Sequence, residues 1–132
     1  LLRQAAERGH VSAMYNLGKW LEKGQGVAKD ESEAAQWFLR AAEEGDQWAM
    51  YDLGKKLEDG RGVPKDATAA AEWFRKAAKM GHEWAMYDLG VSLAEGRGVR
   101  KDEGQAEYWL SLAAKDEGVR EYAEMELSKL RR

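Results

Sequence analysis

The chain repeats itself every 36 residues, and no other feature restricts its fold as strongly. Ala5-Ala6 returns at Ala41-Ala42, Ala77-Ala78 and Ala113-Ala114. Leu17-Gly18 returns at Leu53-Gly54 and Leu89-Gly90, Tyr15 at Tyr51 and Tyr87, and Trp37 at Trp73 and Trp109. Residues 5–40 laid on 41–76 give 21 identities in 36 without a gap, and 41–76 on 77–112 give 19, which chance does not produce. A period of this length marks a stacked-repeat architecture, in which each supersecondary unit buries its apolar face only against its neighbours.

Each period reads as two helices. A single proline and an abundance of Ala, Glu, Lys and Leu favour helix. First helices are predicted over 11–23, 47–59 and 83–95, and second helices over 31–44, 67–79 and 103–115. Residues 1–8 read as the tail of an earlier second helix, and 119–130 as a fourth first-type helix that closes the stack. The expected organisation is one α-solenoid domain, 1–132, divided into 1–8, 9–44, 45–80, 81–117 and a C-terminal cap at 118–132. Ala13, Leu17 and Leu21 mark the buried stripe of a first helix, and Ala34, Trp37 or Phe38, and Ala41 that of a second. Gly18, Gly54 and Gly90 fall inside first helices, where glycine costs roughly 1 kcal/mol against alanine. That recurring cost implies a neighbouring helix too close for a Cβ.

The connectors repeat as well: Gly24-Gln25-Gly26-Val27-Ala28-Lys29-Asp30, Gly60-Arg61-Gly62-Val63-Pro64-Lys65-Asp66 and Gly96-Arg97-Gly98-Val99-Arg100-Lys101-Asp102. The first glycine is expected to stop the helix in a left-handed conformation and the second to allow another bend. The valine plugs the loop into the core, and the aspartate N-caps the next helix. Asp30 with Glu33 makes a capping-box pattern.

The succession A-x-x-x-L-G, G-x-G-V-x-K-D, A-x-x-W and A-A-x-x-G resembles the Sel1-like repeat, a relative of the tetratricopeptide repeats with a longer inter-helix loop. The resemblance covers nearly the whole chain. It implies an all-α, right-handed superhelix of antiparallel helix pairs and a role as an interaction adaptor, which in bacteria is often secreted or periplasmic. Leu21, Leu57 and Leu93 depart from the tyrosine usual at their position. The last helix is set off from the 36-residue step by extra residues before it and has Ser128 in place of the expected glycine.

By resemblance to tetratricopeptide repeats, the first helices line a concave face at Ser12, Tyr15, Lys19 and Glu22 and their 36-residue partners. Helical spacing supports one stripe. Across the repeats its first position reads Ser12, Trp48, Trp84 and Tyr122, its second Tyr15, Tyr51, Tyr87 and Met125, and its third Lys19, Lys55 and Val91. Asn16, Asp52, Asp88 and Glu126 flank it. Trp and Tyr contribute interface area at little entropic cost. The expected partner-binding set is therefore Trp48, Trp84, Tyr122, Tyr51, Tyr87, Lys55, Asp52 and Asp88. It would take a protein or peptide segment, with the acids selecting Lys or Arg. A packing role stands beside this reading for Tyr15, Tyr51 and Tyr87, and is the expected role of Trp37, Trp73 and Trp109 and of Met14, Met50 and Met86. Trp20 breaks its column, where Lys56 and Ser92 follow.

No catalytic, cofactor-binding or metal-binding set is expected. His10 and His82 lie two repeats, roughly 20 Å, apart, and read as helix starts, as does Asp46 between them. The Gly-x-Gly connectors lack the strand-loop-helix setting of a phosphate cradle, though Arg61, Arg97 and Arg100 suggest a modest anionic-ligand patch. No serine sits in a nucleophile elbow. Glu22 and Glu58 read as members of exposed columns. Formal net charge is −3, with 21 basic and 24 acidic residues and no basic stripe, which argues against nucleic acid. No apolar run is long enough to insert in a membrane, and the absence of cysteine excludes disulfides and thiol chemistry. The start, Leu1-Leu2-Arg3-Gln4, lacks the features of a signal peptide and reads as a chain cut inside a helix, so the compartment stays open. Glycan binding on the same aromatic groove, and a structural spacer or self-association unit within a longer protein, remain alternatives. Oligomeric state is open.

Overall fold

The computed structural model describes residues 1–24 and 29–132. Among them are eight helices and no strand: α1 (Leu2–Glu7), α2 (Val11–Lys23), α3 (Glu31–Glu43), α4 (Gln47–Asp59), α5 (Ala67–Lys79), α6 (Glu83–Glu95), α7 (Glu103–Ala113) and α8 (Glu117–Leu130). The three full first helices and α5 keep the predicted bounds. The second helix α7 ends two residues early and α8 starts two residues early. The cause is Asp116, whose carboxylate accepts the Gly118 N–H at 2.9 Å and caps α8. The chain forms two compact units, residues 1–66 and 67–132.

In the first unit, α1 packs on α2, α2 on α3 and α3 on α4. The core is built from alanines at the closest approaches and a few large side chains, with Ala34, Phe38, Ala41 and Ala49 fully buried. The mid-helix glycine is explained here: a Cβ on Gly18 would lie 2.7 Å from the Phe38 ring. Gly24 and Gly60 end α2 and α4 at φ 74° and 73°. Asp30 caps α3 by accepting the Glu33 N–H at 2.9 Å. The capping box is only half made. Glu33 does not return to Asp30, because its carboxylate accepts the Trp37 indole N–H at 3.0 Å and a guanidinium N–H of Arg3. The Asp30 N–H instead donates to the Leu21 carbonyl at 2.8 Å. The second connector glycine does more than bend. At Gly62 a Cβ would fall 2.2 Å from the Glu31 carbonyl oxygen, so the loop backbone lies directly on the first residues of α3. Gln25, Gly26, Val27 and Ala28, and with them the expectations for that loop, lie outside the described residues.

In the second unit, α6 packs on α5 and α7, and α8 on α6 and α7. The same devices recur with altered side chains. Gly90 makes room for Leu110, which would meet its Cβ at 2.6 Å. Gly98 lays the connector on the start of α5, where a Cβ would stand 2.1 Å from the Ala67 carbonyl oxygen. Val119 and Ala123 of α8 join Ala113 in a buried cluster against which Trp84, Met86 and Tyr87 pack. Val63 and Val99 are half-buried, so the connector valine lies at the margin of the core rather than inside it.

Candidate functional site

On the first unit, the predicted stripe separates into a polar bridge and an exposed ring. The Lys19 ammonium stands 3.5 Å from Asp52 Oδ2 and 3.3 Å from Glu22 Oε1. The Tyr15 ring tilts against Phe38, centroids 5.7 Å apart. Burial, and then the Asp52 carboxylate, push the Tyr15 hydroxyl far above its ordinary pKa. Burial also pushes Asp52 up, against the pull of Lys19. Asp52 is thus committed within the unit, and its role as a selector of ligand cations is narrowed. Lys55 is drawn to Glu58 at 3.1 Å. Tyr51 is half-buried, whereas Trp48 is 52% exposed at the start of α4. Its backbone N–H, three residues before Tyr51, donates to the cap residue Asp46 at 3.1 Å.

Next to this stripe lies a cluster that sequence reasoning missed. Lys56 is only 2% exposed, yet its ammonium reaches Glu22 Oε2 at 2.9 Å and Glu31 Oε1 at 3.4 Å. Arg61 closes the group, 3.5 Å from Glu22 and 3.2 Å from Glu31. Burial raises the pKa of both carboxylates, but Lys56 and its fellow cations outweigh it and hold them below the usual range. One reading is corrected and one is qualified. Glu22 and Glu58 are not solvated columns, since both side chains are mostly buried and bridged by a lysine three residues earlier. Arg61, expected in an anionic-ligand patch, is drawn to two carboxylates, although its side chain stays about half exposed. The sequence did carry one signal, the change from Trp20 to Lys56 to Ser92. Trp20 is 43% exposed where Lys56 and Ser92 are buried.

On the second unit the stripe is aromatic. Trp84, Tyr87 and Tyr122 meet edge to face, with centroids 5.4 Å apart for Trp84–Tyr122, 5.9 Å for Trp84–Tyr87 and 6.2 Å for Tyr87–Tyr122. Trp84 is half-buried in this cluster, so it supports the ring on α8 as well as facing solvent. Tyr122 and Met125 remain 52% and 57% exposed. Burial, then Glu126 and Asp88, raise the Tyr87 hydroxyl above its ordinary pKa. Asp88 is half-buried.

The histidines differ. His82 is buried and its Nδ1 accepts the Ala85 N–H at 3.2 Å, as a cap should. His10 occupies the same position before α2 without a side-chain cap bond. Arg97 approaches Glu95 at 3.2 Å. Among the described residues, no group of three or more His, Asp or Glu is placed to hold a metal ion, and no helix is long and apolar enough to cross a membrane.

Paired helices joined by glycine-bounded loops, stacked in register and facing their neighbours through alanine, define an α-helical repeat protein. The Sel1 repeat model matches residues 1–10, 11–46, 49–82 and 85–117, and the chain belongs to the Sel1 repeat family. Its structure is similar to that of c5321, a protective antigen of uropathogenic Escherichia coli strains displaying an SLR fold, at 37% identity and a TM-score of 0.84 over 86% of this chain. This chain spans 24% of that antigen's length. It is similar to a Sel1 repeat protein from Oxalobacter formigenes at 35% identity and a TM-score of 0.83, covering 93% of this chain and 94% of that one. The Helicobacter pylori cysteine rich protein B aligns at 25% identity and a TM-score of 0.68, covering 92% and 93%. No curated protein sequence matches significantly. The fold is the all-α Sel1-like solenoid. Sel1 repeat proteins are generally scaffolds of protein interactions and typically not enzymes.

Proposed function

We propose that the chain is a binding scaffold whose first-type helices present aromatic side chains to a peptide or protein segment. The observation that carries this is the exposure of Trp48 and Tyr122, each 52% accessible at matching positions of two first-type helices. Large rings left in water cost hydrophobic free energy, of roughly 25 cal/mol per Å² of apolar surface, that a partner would recover. Tyr51 and Lys55 flank Trp48 on α4; Trp84 and Tyr87 support Tyr122, with Asp88 on the same helix. Asp52 acts indirectly, by holding Lys19 in place.

Trp84 is half-buried in its unit, whereas Tyr122, although it meets Trp84 and Tyr87, is 52% exposed, so Trp48 with Tyr122 is the pair to test, with unfolding followed in parallel. Peptides selected from a random display library on the wild-type protein should bind the Trp48→Ala/Tyr122→Ala variant at least about tenfold more weakly, a loss near 1.4 kcal/mol. Helical circular dichroism should be unchanged. Undiminished affinity in a folded variant would sink the proposal. A wild type that selects no peptides but shifts its tryptophan fluorescence with oligosaccharides would favour the glycan alternative.

A further inference from the structure

The second unit contains a cleft of about 580 Å³ bordered by α5, the end of α6 and the connector that leads into α7. Its apolar part is Leu93, which is buried, and Val99, which is half-buried. Its rim is basic, with Arg75 from α5 and Arg100 and Lys101 from the connector. Asp102 is the one acid in the lining, and its Oδ1 is occupied in capping α7, where it accepts the Gln105 N–H at 3.0 Å.

The state of the rim cations sets this place apart. Arg61 and Arg97 are drawn to nearby carboxylates. Among the described residues, Arg75 and Arg100 have no carboxylate partner; Arg75 Nη1 approaches only the Gln105 side-chain oxygen, at 3.5 Å. Lys101 reaches Glu103 at 3.9 Å with both groups well exposed, a pairing of little strength. The internal repeat supplies a reference for each position. Thirty-six residues earlier the chain has Leu39, Pro64, Lys65 and Ala69 where this cleft has Arg75, Arg100, Lys101 and Gln105. The lysine is common to the repeats. The two arginines and the glutamine are departures, and they reach one cleft from two separate stretches of chain, α5 and the segment that runs from the connector into α7. A merely solvated surface gives no reason for that convergence.

We propose that this cleft binds a phosphate monoester. Arg75 and Arg100, assisted by Lys101, hold the phosphate, and the organic group lies over Leu93 and Val99. Arg75 and Arg100, neither with a carboxylate partner among the described residues, bring two positive charges, which match a phosphate dianion better than a single carboxylate. Guanidinium groups present paired N–H donors that fit phosphate oxygens. The site is independent of the aromatic positions on α4 and α8.

Phenyl phosphate is a suitable probe, titrated against the isotopically labelled protein with inorganic phosphate and benzoate in parallel at matched ionic strength. Saturable amide shifts are expected at Leu93, Val99, Lys101 and Gln105, with phenyl phosphate binding about tenfold more tightly than either control. Arg75→Leu with Arg100→Pro installs the residues the preceding repeat uses and should weaken phenyl phosphate by at least about tenfold. Arg75→Lys with Arg100→Lys keeps the charge without the paired donors and should fall between. The assignment is overturned by the absence of saturable shifts, by an equal response to benzoate, by equal affinity for inorganic phosphate, or by unchanged affinity in the Leu/Pro variant.

Discussion

The two units use the same spacing and hold their helices by different chemistry. In the first, a buried ammonium at Lys56 is surrounded by Glu22 and Glu31, with Arg61 completing the charge balance. One period on, Lys56 is replaced by Ser92 and Glu31 by Ala67, while the positions of Glu22 and Arg61 keep their charge as Glu58 and Arg97. The second unit buries Ser92 at that place, and its helices α6 and α8 meet instead at the start of α6, in the edge-to-face cluster of Trp84, Tyr87 and Tyr122. The difference separates what the repeat requires from what it allows. Alanine, Leu17-type leucines and the mid-helix glycine persist because they set how closely helices approach. The remaining buried positions accept ionic or apolar solutions, provided that each is complete in itself.

The comparison can be broken most sharply at Lys56. Replacing it with serine imports the second unit's residue and leaves Glu22 and Glu31 beside Arg61 alone, at an expected cost of about 3 kcal/mol in urea unfolding. Adding Glu22→Ala and Glu31→Ala removes the stranded charges and should recover a large part of that loss. If the triple variant is no better than the single one, the two units are not alternative solutions to one packing problem. Acid sharpens the same test. The folded-state pKa values of Glu22 and Glu31 are depressed, so their contribution is present above the unfolded carboxylate value and is lost as pH falls through the folded ones. The stability gap between wild type and Lys56→Ser should therefore narrow on acidification.

A smaller effect is expected at the mid-helix glycines. Gly18→Ala gains roughly 1 kcal/mol of helix propensity and loses more by forcing a methyl group on the buried Phe38 ring, for a net cost of about 1–2 kcal/mol. Gly90→Ala meets the branched Leu110 instead, and comparing the two variants by thermal unfolding shows which partner yields more easily. The smallest contrast lies between the histidines. His82→Ala removes a buried cap and should cost about 1 kcal/mol. His10→Ala, which removes no side-chain cap bond, should stay within about 0.5 kcal/mol by the same measurement.

The fold was highly legible because its determinants recur locally. Leu17-Gly18 with its two copies, the helix-ending glycines and the capping aspartates each announce a boundary in the sequence itself. Asp116 was overlooked because its column reads Arg8, Glu44 and Met80 in the preceding repeats, so no capping residue recurs there. The candidate surface was less legible, since its state depends on neighbours that spacing does not name. Trp48 and Trp84 share a register, yet Trp84 is half-buried by a helix whose Tyr122 folds against it, while Trp48 is more than half exposed. Glu22 and Glu58 look like ordinary surface acids, and only the placement of lysines across and along the helices shows them enclosed. The basic cleft was missed for a similar reason: Arg75 stands far from Arg100 in sequence, and the pairing of Arg61 and Arg97 with acids is a matter of three-dimensional placement.

The glycine of each described connector reaches beyond its own turn. At Gly62 and Gly98 the loop is seated by main chain on main chain, against the carbonyls of Glu31 and Ala67. A joint of that kind is indifferent to the side chains on either partner, which is why Glu31 and Ala67 serve equally well. Such a fitting behaves like a standard thread: copies of the unit can be added or rewritten at their surface without recutting the joint. A lineage built this way can diversify what it binds, one helix pair at a time, while leaving its assembly untouched.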